Sequence, residues 1–323
     1  MKKYMLALGL SLLTVLGLFT GCSPKAETAS DSDSLKIVAA IFPEYDWVRQ
    51  VLGDRAGEVE LTLLLDSGTD LHSYQPTAAD MLTIGECDLF LYNGGESDAW
   101  VERVLATAAN PDRRTLSVME VLGDSVLEEV VEGMQEAEDH DHAEGEAHEE
   151  EADEHVWLSL RNARTACAEI ARVLGELDPD HAAEYQANAE NYMAELEALD
   201  GEYAALAENA ARRTVLVGDR FPFRYLMDDY GLEYYAAFSG CSAETEASFE
   251  TIAFLSGKTE ELALPCILTT ESPQPGVAET IRSNTASGDQ TILQLDSMQS
   301  AGTGDNYLDI MKENLEVLRQ ALA

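Results

Sequence analysis

The stretch PDHAAEYQANAENYMAELEALDGEYAALAEN, from Pro179 to Asn209, decides how the rest of the chain divides. Tyr185, Asn188, Tyr192, Leu196, Leu199, Tyr203 and Leu206 recur in it at steps of three and four, the period of one helix face. Pro179 stands where a first helical turn tolerates a missing N–H. Gly201 is a weak point, costing about 1 kcal/mol against alanine in a helix interior, and the reading keeps the helix continuous through it. At 1.5 Å per residue such a helix would be roughly 45 Å long, enough to serve two domains as a strut.

Working outward, short β-rich runs alternate with helical patterns on both sides. Before the helix the strands read LKIVAAIF from Leu35, VELTLLL from Val59, DLFLYNG from Asp88 and RTLSVM from Arg114. Helical segments begin between them near Pro43, Thr77 and Asp98. After the helix come TVLVGD from Thr214, EYYAAF from Glu233, CILTTES from Cys266 and TILQLD from Thr291. Helices are expected near Phe221–Tyr230, Glu246–Leu262, Pro275–Ser283 and Asp305–Leu322. Such alternation predicts an α/β fold of two lobes, each with a mainly parallel four-stranded sheet and flanking helices.

A length of 323 residues accommodates two domains. The formal net charge of -41 repels any polyanion, so no nucleic-acid partner is expected, and it favours approach of cations. At the N-terminus, Lys2 and Lys3 precede an apolar run from Tyr4 to Phe19, and small residues lead into Cys22. This is a secretory signal, because nothing after it would stop transfer. LFTGC resembles a bacterial lipobox, whose cysteine carries lipid; a plain cleaved signal with an incidental Cys22 is the alternative. Residues 23–34, rich in Ser, Ala and Asp, read as a flexible tether. Four further cysteines, Cys87, Cys167, Cys241 and Cys266, have no close metal spacing and stand as either disulfide partners or buried thiols.

In open parallel sheets ligands bind beyond the carboxyl ends of the strands. His72 falls there, in the loop after the second strand, and so do Asp219 and Arg220 after the fifth and Glu271 after the seventh. His155 closes an acidic stretch just before a helix. Neutral imidazole together with carboxylate is a donor set for borderline divalent ions. The acidic stretch itself, EAEDHDHAEGEAHEEEADEH from Glu136 to His155, has no apolar periodicity and reads as a surface loop. Its His140, His142 and His148, set among carboxylates, form an auxiliary site for weak, fast-exchanging zinc that gathers or senses the ion; a solvated insertion with no metal role is the alternative. Phe221, Phe223 and Tyr225, like Trp47, Trp100 and Trp157, read chiefly as core, with Trp157 also placed to shield His155.

Five blocks in order, GTDLHSYQPTAAD, EHVWLSLRNA, RFPFRYLMDDYGL, TTESPQPGVAETI and GDNYLDIMKENL, resemble the metal-binding lipoproteins of bacterial zinc and manganese ABC transporters. The resemblance runs from about Leu35 to the C-terminus and implies a linking helix that is rigid, with a metal in the cleft between the lobes. It divides the chain into a lipoprotein signal and lipidated Cys22 over 1–22, a tether over 23–34, and an N-terminal metal-binding lobe over 35–178 with an acidic His-rich loop at 132–154. The linking helix then covers 179–210 and a C-terminal metal-binding lobe 211–323. It implies that His72 and His155 are ligands and that Glu271 occupies the family's acidic position, near which relatives carry a fourth carboxylate. The third block departs from the pattern. Where relatives have histidine or glutamate three residues before the match to Phe223, this chain has Arg220, whose guanidinium cannot bind a metal. Asp219 is the nearest substitute and Glu246 a further acidic candidate, while an ordinary Asp219–Arg220 ion pair is the competing reading.

The expected function is that of an extracytoplasmic, lipid-anchored, monomeric binding protein, not an enzyme. It captures Zn²⁺ and delivers it to a permease whose energy comes from a separate ATPase; Mn²⁺ is the alternative cargo. The chain has neither a GxxxxGK[ST] nor an H-E-x-x-H motif. A secreted metallohydrolase and a surface adhesin are the other function classes, distinguished by turnover and by partner binding that survives loss of both histidines.

Overall fold

The computed structural model describes residues 34–66, 68–106, 109–127, 152–240, 247–271 and 276–323. Cys22, the tether through residue 33, His140, His142, His148, Cys241 and Glu246 lie outside them. The N-terminal half is built from β1 (Lys36–Ala39), α1 (Phe42–Leu52), β2 (Glu60–Leu63), α2 (Ala78–Glu86), β3 (Leu89–Tyr92), α3 (Val101–Leu105), β4 (Arg114–Ser117), α4 (Val118–Leu122) and α5 (Leu160–Leu177). After α6 (Ala182–Asn209) come β5 (Thr214–Phe221), α7 (Arg224–Tyr230), β6 (Glu233–Ser239), α8 (Phe249–Glu261), β7 (Cys266–Thr269), α9 (Gly276–Asn284), β8 (Thr291–Gln294) and α10 (Tyr307–Ala321).

The strands form two four-stranded sheets, ordered β2-β1-β3-β4 and β6-β5-β7-β8. Every pairing is parallel. Parallel sheets are covered on both faces, so their inner strands read as unbroken apolar runs. Ile37, Val38 and Ala39 of β1 and Leu89, Phe90 and Leu91 of β3 are accordingly buried. The sheets share one order, which places the loops after β1, β2 and β3 at one carboxyl edge and those after β5, β6, β7 and β8 at the corresponding edge of the other sheet.

Helix α6 runs unbroken for 28 residues through Gly201, about 42 Å at 1.5 Å per residue. Pro179 opens a short 3₁₀ turn, Pro179–His181, just before it. The helix buries Tyr185, Tyr192, Leu196, Leu199 and Tyr203. The side chain of Asn188 donates to the Val51 carbonyl at 3.1 Å, and the Tyr203 hydroxyl donates to the Met311 carbonyl at 2.6 Å. One helix thus ties α1 of the first half to α10 of the second.

The helix expected from Phe221 starts at Arg224 instead, because β5 runs on to Phe221. β5 advances from Val217 to Arg220 while β6 advances only from Ala236 to Phe238, so β5 carries one extra residue. Such a bulge re-aims the side chains beyond it. Phe221, Phe223 and Tyr225 are buried, as are Trp47, Trp100 and Trp157. Cys87, Cys167 and Cys266 are buried free thiols, and burial pushes the Cys87 thiol up to about 12.

Candidate metal centre

His72 and His155 come from distant parts of the sequence and meet with their Nε2 atoms 3.3 Å apart. Their rings are tilted at 60° with centroids separated by 5.2 Å. Both histidines are set by the same local device. Asp70 Oδ1 accepts the backbone N–H of His72 at 3.0 Å, and Asp153 Oδ1 accepts that of His155 at 2.8 Å. In each, an aspartate two residues upstream turns the chain by bonding its own backbone.

The Nδ1 atoms face outward to oxygen partners. His155 Nδ1 lies 3.0 Å from Asp153 Oδ1. His72 Nδ1 lies 2.9 Å from Ser97 Oγ and 3.4 Å from Glu154 Oε2. Ser97 in turn donates its hydroxyl and, at 2.8 Å, its N–H to Glu154. An acceptor at Nδ1 favours the Nδ1–H tautomer and leaves the Nε2 lone pair for an ion, the usual arrangement around metal-bound histidine. Burial alone would push the Glu154 carboxyl up, but hydrogen bonds from His72 and Ser97 hold it below the usual carboxylate range.

The segment 153–158 that carries His155 is buried, and side chains hold four of its carbonyls. Tyr225 donates to the Asp153 carbonyl at 2.8 Å, Asn93 to that of Glu154 at 2.8 Å, Asn162 to that of Val156 at 3.1 Å and Tyr307 to that of Trp157 at 2.6 Å. Trp157 donates its indole N–H to the Ser297 carbonyl at 2.9 Å, and its ring packs against His155 with centroids 5.2 Å apart. Glycine is required on two sides. A Cβ at Gly95 would meet Glu154 Oε1 at 2.4 Å, at a φ of 84°, and one at Gly240 would meet His155 Cε1 at 2.7 Å.

His72 sits on a 3₁₀ turn, Leu71–Ser73, in the loop after β2. Beside it stands the residue that departs from the family pattern. Arg220 does not pair with Asp219; its guanidinium reaches across to Asp70 Oδ2 at 3.0 Å. Burial would raise the Asp70 carboxyl, but the Arg220 hydrogen bond and charge, with His72, hold it low. Asp219 accepts the Arg220 N–H at 2.8 Å and the Thr270 hydroxyl at 2.9 Å. Glu271 accepts the Ser297 N–H at 2.9 Å, the Ser297 hydroxyl at 2.6 Å and the Gln299 N–H at 3.0 Å. Among the described residues no group of three or more His, Cys, Asp or Glu side chains is arranged to hold an ion. The two histidines are therefore brought together, while Asp219 and Glu271 spend their carboxylates on the loops after β7 and β8. Half-buried Asp296 beside Glu271 has its carboxyl pushed up to about 6 by desolvation and by the Glu271 charge.

The sequence model of the ZnuA family, described as "Zinc-uptake complex component A periplasmic", matches residues 37–321. The chain belongs to the ZnuA family. Among its ZnuA-family relatives, the "Zinc-binding lipoprotein AdcA" of Streptococcus pneumoniae is 31% identical over 323 residues, which are 99% of this chain and 61% of that protein. The chain thus spans about three fifths of the length of AdcA. The "High-affinity zinc uptake system protein ZnuA" of Bacillus subtilis is 29% identical over 302 residues, covering 93% of this chain and 91% of that one. The crystal structure of the Zn(II)-bound ZnuA-like domain of S. pneumoniae AdcA superposes with a TM-score of 0.69 at 26% identity, covering 90% of this chain and 99% of that domain.

Several supporting residues were missed by sequence reasoning. Ser97 is far from either histidine in sequence, and nothing local marks it. Asp70 and Asp153 did carry a signal, since both histidines stand in an Asp-x-His triplet.

Proposed function

We propose that this ZnuA-family chain captures Zn²⁺ outside the cell and delivers it to an ABC permease. The observation that carries the reading is the 3.3 Å separation of the two Nε2 atoms. Two imidazole nitrogens each about 2.0–2.1 Å from a tetrahedral Zn²⁺ stand about 3.3–3.4 Å from one another. Two lone pairs at that distance repel unless a cation or a proton lies between them, so the pair is poised for an ion. His72 and His155 supply the nitrogen donors. Glu271 and Asp219, at the opposite edge of the cleft, are the carboxylates that close on the ion, giving up hydrogen bonds to Ser297, Gln299 and Thr270 as they do.

The remaining parts of the reading follow the same logic. Cys22 carries lipid and holds a monomeric chain at the outer face of the membrane. His140, His142 and His148 gather zinc for the site. The bound ion is cargo, and the family's role is transport and not turnover.

Titration of metal-stripped protein from Ser23 onward with zinc and manganese in competition tests this. The reading expects one tight zinc site that disappears in His72→Ala, and weaker sites that disappear when residues 132–151 are deleted, which spares Asp153 and Glu154. Tight, selective manganese binding would reassign the cargo. Absence of any tight site would overturn the transport reading.

A further inference from the structure

We infer that Arg220 is a positioning residue for the His72 turn, and that its ion pair with Asp70 across the cleft sets how slowly the cargo ion is released. The inference rests on the reading of His72 as a donor. It starts from the bulge in β5, which places Arg220 opposite Phe238 and sends its side chain out of the second sheet. The guanidinium reaches Asp70 Oδ2 at 3.0 Å, while the other oxygen of that carboxylate accepts the His72 N–H at 3.0 Å. One carboxylate therefore links the C-terminal sheet to the backbone of a donor residue.

The turn closes on itself through the Ser73 N–H on the Asp70 carbonyl and the Tyr74 N–H on the Leu71 carbonyl, both at 3.2 Å, with Leu71 buried, and the Asp70–Arg220 pair ties it to the second sheet. Beside the turn lies a void of about 10 Å³ with Leu65, Thr69, Leu71, Trp157, Met298 and Gln299 among its lining residues. His72 is held through its ring by Ser97 and Glu154, which orient the imidazole, and through its N–H by Asp70 Oδ1. A second ion pair, Arg161–Asp229 at 3.3 Å, also bridges the two halves of the chain but touches neither histidine. The Arg220 and Asp70 side chains are 29% and 35% exposed, so the pair adds little to global stability. Its consequence is local. A short surface turn opens locally, and a contact that exists only in the closed turn slows that opening and the dissociation that follows.

The test uses the soluble chain from Ser23 onward as parent, with Arg220→Gln, Asp70→Asn, the double variant, Arg220→Lys, and Arg161→Gln as a control. Asp70→Asn keeps an acceptor for the His72 N–H and removes only the charge, which separates the ion pair from the cap. Amide exchange is measured on metal-free protein, and zinc release into excess chelator is followed by stopped flow. Exchange within residues 68–74 is expected to rise about fivefold in Arg220→Gln and in Asp70→Asn, and no further in the double variant. Zinc release is expected to quicken by a similar factor of about five with the association rate unchanged, Arg220→Lys falling between and Arg161→Gln matching the parent. Unchanged exchange in both single variants overturns the brace, whatever zinc does. Faster exchange with unchanged release overturns its role in release. Failure of the parent to bind zinc overturns the functional reading instead, and the exchange experiment still decides the brace.

Discussion

His155 and His72 present the same atom to the same point, yet they are supported in opposite ways. His155 is fully buried in a segment whose carbonyls are held by Tyr225, Asn93, Asn162 and Tyr307 and whose Trp157 is fastened to the loop after β8. His72 lies partly exposed on a short turn held by Asp70, and Asp70 is itself held by a partly exposed arginine. A site that must bind an ion tightly and later surrender it needs one donor that does not move and one that can. Under the proposed transport role, the contrast would assign affinity and release to different parts of the chain, since rigidity is set by buried hydrogen bonds and mobility by their scarcity.

The largest effect should come from removing the donors themselves. His155→Ala and His72→Ala are each expected to weaken zinc binding by more than the roughly 10–100-fold typical of outer partners. Only His155→Ala should also cost about 2 kcal/mol of stability, because it leaves the Asp153 carboxylate buried without its imidazole and empties space against Trp157. Calorimetric titration and urea midpoints read both, and equal destabilisation by the two variants would break the comparison. Glu154→Gln comes next. It keeps the shape but removes the charge facing His72 Nδ1, so zinc affinity should fall about 10–100-fold with stability unchanged within ~1 kcal/mol.

A pH effect of intermediate size is expected behind His72. Asp98, buried next to Ser97, has its carboxyl pushed up to about 6 by burial and by the Glu154 charge, against bonds from the Gly94 and Asn93 backbone that lower it. For an acid whose folded pKa is raised, the native state holds the proton more tightly than the unfolded chain. The cost of ionising it is therefore present above pH 6 and fades as pH falls towards the ordinary aspartate value near 4. Relative to Asp98→Asn, the parent should gain about 2 kcal/mol between pH 7 and pH 4 in urea midpoints, and parallel curves would contradict this. The smallest effect is Tyr225→Phe, which removes the donor to the Asp153 carbonyl and the acceptor of the Leu127 N–H. A loss of about 1 kcal/mol is expected, and zinc affinity reduced by less than that of Glu154→Gln sharpens the contrast between anchoring the segment and charging the ring.

Much of the fold was legible because its signals are periodic. Helix α6 declared itself through residues three and four apart, and β1, β3 and β7 through short apolar runs such as KIVA and CILT. The placement of Phe221 was misread because a bulge has no composition of its own, and GDRF scans equally well as a turn. The histidines were legible from the place of His72 after a strand, that of His155 before a helix, and the blocks around them. The roles of Ser97 and Glu154 and the partner of Arg220 were not, because what matters about each is a contact 25, 82 or 150 residues away.

The sequence by itself determined two parallel α/β halves, the strut between them, the strand end beyond which His72 stands and the helix start that His155 precedes. Those features depend on local periodicity and on where parallel strands end, and a linear pattern encodes both. Only the tertiary structure decided that the two Nε2 atoms converge, that Asp219 and Glu271 are engaged elsewhere, and that Arg220 finds Asp70 and not Asp219. Those outcomes turn on distances of about 3 Å between groups far apart in the chain, and charge pairing at that range is set by which backbones the packed cores bring together.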